Sequence, residues 1–192
     1  MEGRTDASIQ EITEAAGVGF GSFYNHFATK EELFDTALEQ VLIADGEMRD
    51  TVVRDIEDPA EVFSVSFRMT GRLGEESPAL IRLLLNAGPA VLTSDHGLRP
   101  RVLQDLQAGK DSGRFEFEDL EVAFMATGSA FLGLLQLVTS DPSRDVAATT
   151  DKAVVMQLRM LGLSGAEAAE LVARPLPRIP RLSAFIQLRR GL

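Results

Sequence analysis

Apolar positions along this chain recur at three- and four-residue intervals, and no stretch alternates apolar and polar residues as a strand does. The expected fold class is therefore all-α. Ile9, Ile12, Ala15 and Ala16 share one side of a short helix, with Gln10, Glu11, Thr13 and Glu14 on the other and Asp6 or Ser8 placed to cap its start. Gly17 permits a tight reversal, Val18 reads as an apolar plug, and residues 21–27 read as a second short helix. In it Phe23 and Phe27 lie four apart and face the core, leaving Ser22, Asn25 and His26 more exposed.

Thr29 and Glu32 have the spacing of a capping box, so a long helix is expected to start there, with Leu33, Phe34, Ala37, Leu38, Val41 and Leu42 as its apolar stripe toward Arg49. Asp58-Pro59 and Ser77-Pro78 each read as a cap followed by a first-turn proline. The first of these helices carries Val62, Phe63, Val65, Phe67 and Met69, and the second ends at Gly88-Pro89. A shorter helix around Val102, Leu103 and Leu106 precedes a turn at 109–113. Residues 118–138 give the strongest internal helix, in which Ala126, Gly128, Ser129, Ala130 and Gly133 permit close approach of a neighbour. Pro142 closes it. Helices over 146–161 and 164–172 follow, the second with a capping-box pattern at Ser164 and Glu167.

Composition narrows the function. The 192 residues carry a formal net charge of -10, which repels nucleic acid if spread evenly. Even residues 1–50 hold eleven acids against Arg4, Lys30 and Arg49, whereas residues 174–192 hold five arginines and no acid. Far from the head, that tail fits a solubilising or acid-pairing role better than DNA attraction. The absence of cysteine excludes disulfides, thiolate catalysis and Cys-ligated metals. His26 and His96 stand in no metal or nucleophile pattern, and Asp95-His96 sits in a Gly-containing loop, so no enzyme, cofactor or metal site is expected. Residues 1–10 hold no apolar signal segment and no eighteen-residue apolar run is evident, so the expectation is a cytoplasmic protein without a membrane partner.

Residues 8–34, from Ser8-Ile-Gln-Glu through Gly17-Val-Gly-Phe-Gly-Ser-Phe-Tyr-Asn-His-Phe27 to Lys30, resemble the DNA-binding signature of TetR-family transcriptional regulators. The later helical chain, with Leu161-Gly-Leu-Ser-Gly-Ala-Glu-Ala168, is similar to the effector and dimerisation domain of some members. The resemblance implies an incomplete helix-turn-helix head at 1–34 and a helical effector-binding and dimerisation domain at 35–192. It implies a homodimer that binds palindromic double-stranded DNA and a small hydrophobic effector and acts as a repressor of transcription.

Carried over by residue, Gly19, Phe20, Gly21, Ser22, Tyr24, Asn25 and His26 belong to the turn and recognition helix. Ser22, Tyr24 and Lys30 suit phosphate contact, because hydroxyls and an ammonium fix register without distinguishing bases. Asn25 suits an adenine edge and Phe20 a thymine methyl group. Phe20, Tyr24 and Lys30 also have plain structural uses, in packing or as a solvated first-turn lysine. The family's first helix should precede residues 5–8, and 1–4 cannot span two turns. Without that helix Ile9, Ile12, Phe23 and Phe27 lose one wall of their core, so an exposed apolar patch or a disordered head is expected, and a protein that has lost DNA binding while keeping a helical ligand-binding or dimeric interaction role is the alternative.

For the effector, Phe63, Phe67, Met69, Leu84, Phe124, Met125 and Phe131 are the candidate lining, with ordinary core packing as the competing use. Arg68 and Arg72 lie four apart and can receive an anionic ligand group or form a solvated face. Residues 119–161 are the expected dimer interface, two helices pairing with their symmetry copies as a four-helix bundle.

Overall fold

A computed structural model describes residues 7–93 and 98–177, and all regular structure among them is helical. Asp95-His96, residues 1–4 and the tail arginines beyond residue 177 lie outside the described residues. The expected starts at Ser8, Thr29, Asp58 and Ser164 hold because their caps form, whereas Ser77 makes no side-chain cap bond at the start of the helix Pro78–Ala87. Ser8 Oγ accepts from the Glu11 N–H at 3.2 Å while Glu11 Oε2 accepts from the Ser8 N–H at 2.7 Å, which starts α1 (Ile9–Ala16). Gly17 ends it in the left-handed region at φ 69°. The short α2 (Phe20–Tyr24) follows, and Thr29 caps α3 (Lys30–Val53).

Two of the capping boxes differ from expectation. Glu32 reaches past the cap to the Ala28 N–H at 2.7 Å, and Glu167 gives its carboxylate to Arg114 at 2.8 Å instead of to its own cap. Thr13 also departs from the polar face assigned to it. It is buried, because its hydroxyl returns to the Ile9 and Gln10 carbonyls at 3.0 Å and the residue then packs as a small apolar group, whereas Ala15 and Ala16 are exposed.

The body is built around α4 (Pro59–Gly71), which is buried on every side from Phe63 to Gly71. A one-sided stripe cannot describe such a helix. Around it pack α3, α8 (Leu98–Asp111), α9 (Leu120–Ser140), α10 (Val146–Met160) and α11 (Gly165–Ala173). The short α5 (Leu73–Glu76), α6 (Pro78–Ala87) and α7 (Ala90–Thr93) close one side. Leu84, Leu106, Leu135, Val154, Leu158 and Ala168 are wholly buried, so all the large elements share one core.

Ion pairs tie the far ends of this core. Arg114 grips Asp58, the cap of α4, through Nε at 2.9 Å and Nη2 at 3.0 Å, and Glu167 on α11 through Nη1 at 2.8 Å. Burial pushes Asp58 up, but hydrogen bonds from Arg114 and the Ala60 N–H outweigh it and hold the carboxyl below the ordinary carboxylate range. The α9 helix corrects the expectation about apolar runs. Its Gly, Ser, Thr and Gln residues interrupt a strict run yet leave mean hydropathy at 1.7, so by length and composition it is apolar enough to cross a membrane. Within the fold, 44% of that window is buried.

Candidate functional site

Two regions bear on function, the head and a cavity in the body. In the head, Phe23 is buried and touches Phe27 with ring centres 5.8 Å apart, which fixes α2 through its inward face. Phe20 and Tyr24 stand on the other face, each more than half exposed, in an edge-to-face pair at 5.6 Å. Gly19 is the cap of α2, Gly21 is exposed with open space beyond it, and Ser22 is half-buried. Asn25 closes α2 and is exposed, as is His26, and Lys30 opens α3. Val18 is not the plug its position suggests; at 49% exposure it joins Phe20 and Tyr24 on an open apolar surface. The residues expected to form an exposed patch do not: Phe23 is buried and Ile9, Ile12 and Phe27 are half-buried, and the exposed apolar side chains of the described head are Val18, Phe20 and Tyr24 instead.

The cavity lies in the body and encloses about 70 Å³, several times what a single water needs. Phe63, Ser66, Phe67 and Thr70 line it from α4, and Phe124, Thr127, Gly128 and Phe131 from α9. Both sets follow the i, i+3, i+4, i+7 spacing of one helical face. Leu84 from α6, Val91 and Leu92 from α7, and Leu98, Arg99, Val102 and Asp105 from α8 complete the wall with Arg49 of α3. Phe67 and Phe131 meet at right angles with centres 5.6 Å apart. Gly128 admits Leu92 because it lacks a side chain: a Cβ there would lie 2.6 Å from Leu92 Cδ2.

Five of the seven residues expected around an effector therefore share one cavity: Phe63, Phe67, Leu84, Phe124 and Phe131. Met69 and Met125 do not. Met69 sits two residues beyond Phe67, which turns it roughly to the opposite side of α4 and into the core. Met125 is one residue past Phe124 and points outward beside Val122. Arg68 and Arg72 are also directed elsewhere, since both hold Asp151 of α10, at 3.0 and 2.6 Å, and join helices instead of facing the cavity.

Sequence reasoning missed the polar wall. Arg49 is only 4% exposed, and its Nη1 lies 3.4 Å from Asp105 Oδ2 across the α3–α8 join. Asp45 is one turn before Arg49 and 1% exposed. Between them Gly46 lets the Arg101 guanidinium lie against α3, where a Cβ would stand 2.5 Å from its Cζ. Arg101 Nε in turn holds Asp50 at 2.9 Å. Burial pushes Asp45 up to about 6, with Arg49 and Arg101 pulling the other way. Burial also raises Asp105, against the pull of Arg49. Arg49 Nε, Ser66 Oγ and Thr127 Oγ1 are buried at the cavity without a hydrogen-bond partner. The i, i+4 pair Asp45 and Arg49, and the hydroxyls three residues after Phe63 and Phe124, were the available signals.

At the edge of the cavity Arg99 binds both oxygens of Glu121, at 2.8 and 2.9 Å, with its guanidinium 5.3 Å from the centre of the Phe124 ring. Among the described residues no cluster of His, Cys, Asp or Glu can hold a metal ion. The arrangement is a small aromatic chamber with a few buried polar groups, the form of a ligand site.

Comparison with known proteins agrees with the two regions. Residues 2–37 match bacterial regulatory proteins of the tetR family, and residues 58–174 match the tetracyclin repressor-like C-terminal domain. The crystal structure of RolR without ligand is 34% identical, with a TM-score of 0.78 over 91% of this chain and 90% of that one. RolR in complex with resorcinol is 34% identical with a TM-score of 0.77, over 91% and 87% of the two chains. Thermus thermophilus FadR, a TetR-family repressor in complex with lauroyl-CoA, shares the fold at 22% identity and a TM-score of 0.59, over 83% and 87%. No curated protein matches the chain. The signature in the head, the ligand-type chamber in the body and the similarity to RolR along both lead to one assignment: the chain belongs to the TetR family of transcriptional regulators, DNA-binding, ligand-sensing proteins and not enzymes.

Proposed function

We propose that this chain is a homodimeric cytoplasmic repressor that holds a palindromic operator and releases it when a small hydroxylated aromatic molecule enters the cavity. The observation that carries this reading is the chamber itself: phenylalanines on two helices, with Arg49, Ser66 and Thr127 among the lining residues and their Nε, Oγ and Oγ1 atoms buried without partners. Such atoms favour a ligand that brings hydrogen-bonding groups on an apolar ring, more than the plain hydrophobic molecule that the aromatic lining alone suggests. The resorcinol complex of RolR supports the same class.

In this reading the head is 1–34 and the effector and dimerisation body 35–192, with α3 continuous across the division. Because α3 begins beside the recognition helix and carries Arg49 at the cavity, a ligand that repositions Arg49 acts on the element holding the head. Tyr24, Ser22 and Lys30 serve the phosphates, Asn25 an adenine edge and Phe20 a thymine methyl, with Gly19, Gly21 and His26 along the same surface. The dimer forms through α9 and α10, whose exposed Val122, Met125, Leu137, Met156 and Met160 supply apolar surface.

The test uses the full chain and duplexes spanning the intergenic DNA beside its own gene. Fluorescence anisotropy across a salt series should find one duplex bound specifically, and resorcinol should both raise the melting temperature of the protein and release that duplex. A resorcinol-stabilised dimer that binds no duplex would instead select the ligand-binding protein without DNA activity.

A further inference from the structure

Serine and threonine inside helices ordinarily return their hydroxyls to a carbonyl one turn back, as Thr70 does to the Ser66 carbonyl at 3.0 Å. Ser66 and Thr127 line the cavity, are buried, and make no such bond. Ser64 and Thr150 also lack partners, but they do not face this space. These two lining residues stand on α4 and α9, helices joined by the Phe67–Phe131 contact, whereas the ionic pair Arg49 and Asp105 stands on α3 and α8. The chamber therefore has two polar sources of different chemistry.

Arg49 Nε only donates, and the Asp105 carboxylate accepts, so a ligand hydroxyl can satisfy both by accepting from one and donating to the other. Ser66 and Thr127 can each donate or accept, and they bring no charge. We propose that Ser66 and Thr127 are the specificity-determining hydroxyls of this regulator: they hold a second hydroxyl group of the effector, so that the cavity selects a ring with two hydroxyls over a ring with one. The assignment rests on the effector reading above and extends it from a ligand class to a rule of discrimination. A carboxylate at this second position would meet hydroxyls but no cation, so the site also favours a neutral second group.

The experiment compares resorcinol with phenol by isothermal titration calorimetry on the wild-type chain, Thr127→Val, Thr127→Ser and the double variant Ser66→Ala/Thr127→Val. The wild type should bind resorcinol at least about tenfold more tightly than phenol, and the double variant should narrow that ratio to about twofold by losing resorcinol affinity, with phenol changed less than about threefold. Thr127→Ser keeps a hydroxyl and should keep most of the discrimination. A ligand-free melt gives a second readout: Thr127→Val preserves shape and removes an unpaired buried hydroxyl, so its melting temperature should hold or rise. An unchanged affinity ratio in the double variant, or a fall of several degrees in the ligand-free melt of Thr127→Val, overturns the assignment. Equal binding of both rings by the wild type overturns it while leaving the effector reading intact, and binding of neither ring overturns both.

Discussion

Replacing Asp45 by asparagine should stabilise this protein at neutral pH, although Asp45 lies beside two arginines. The carboxylate is 1% exposed on α3 and its Oδ2 has no partner. Burial raises it from an ordinary 3.8 to about 6 in spite of Arg49 and Arg101. Arg49 and Asp50 act on it from its own helix, and Arg101 from α8. The folded protein thus holds this proton more tightly than the unfolded chain. The stability that proton contributes is fully present below about pH 4 and is lost as pH rises through 6. At about 1.4 kcal/mol for each pH unit separating the two values, the ionised group costs the fold on the order of 3 kcal/mol at pH 7.5. Urea unfolding of wild type and Asp45→Asn between pH 4 and 7.5, at one protein concentration, measures this directly because the shared background cancels. The stability of the variant relative to wild type should climb by about 2–3 kcal/mol across that range. A difference that stays flat, or falls, would refute the reasoning and show Asp45 ionised and well paired within the α3–α8 join.

Three further outcomes follow from named contacts. Gly46→Ala should displace only the guanidinium end of Arg101 from α3, so the better helix former offsets that loss and stability should change by less than about 1 kcal/mol; thermal melting reads it, and a loss of several kcal/mol would show that Arg101 cannot move aside. Arg114→Ala should cost about 1–3 kcal/mol by denaturant unfolding, since it strands Asp58 and Glu167 together, and its deficit should shrink as acid protonates Asp58. In anisotropy titrations Lys30→Ala should weaken every duplex alike and lower the salt slope by about 1, whereas Asn25→Ala should weaken the preferred duplex more than others.

The helices were legible from the sequence because their boundaries rest on local chemistry: Ser8, Thr29, Asp58 and Ser164 cap in the structure as their positions suggest. The destinations of long polar side chains were not, since these depend on helices distant in sequence. Glu167 fits a local box by spacing, yet goes to an arginine fifty-three residues away. Arg68 and Arg72 fit an anion site by spacing, yet meet Asp151. For the cavity, the aromatic stripes of α4 and α9 were readable by period, whereas Met69 and Met125 stand off that period, Met69 in the core and Met125 on the surface. The wall residues Arg49 and Asp105, with Asp45 buried behind them, were not legible because charged residues are seldom buried, and only the α3–α8 contact reveals why these are.

If the cavity and the head are two sites on one coupled protein, each ligand changes the affinity of the other, and reciprocal binding tests that coupling most directly. The measurement is the affinity of the full chain for its specific duplex with and without saturating resorcinol, together with its affinity for resorcinol with and without saturating duplex. Resorcinol should weaken duplex binding by about 5–150-fold, and the duplex should weaken resorcinol binding by the same factor. Resorcinol and duplex that both bind, each leaving the affinity of the other unchanged, would contradict the account.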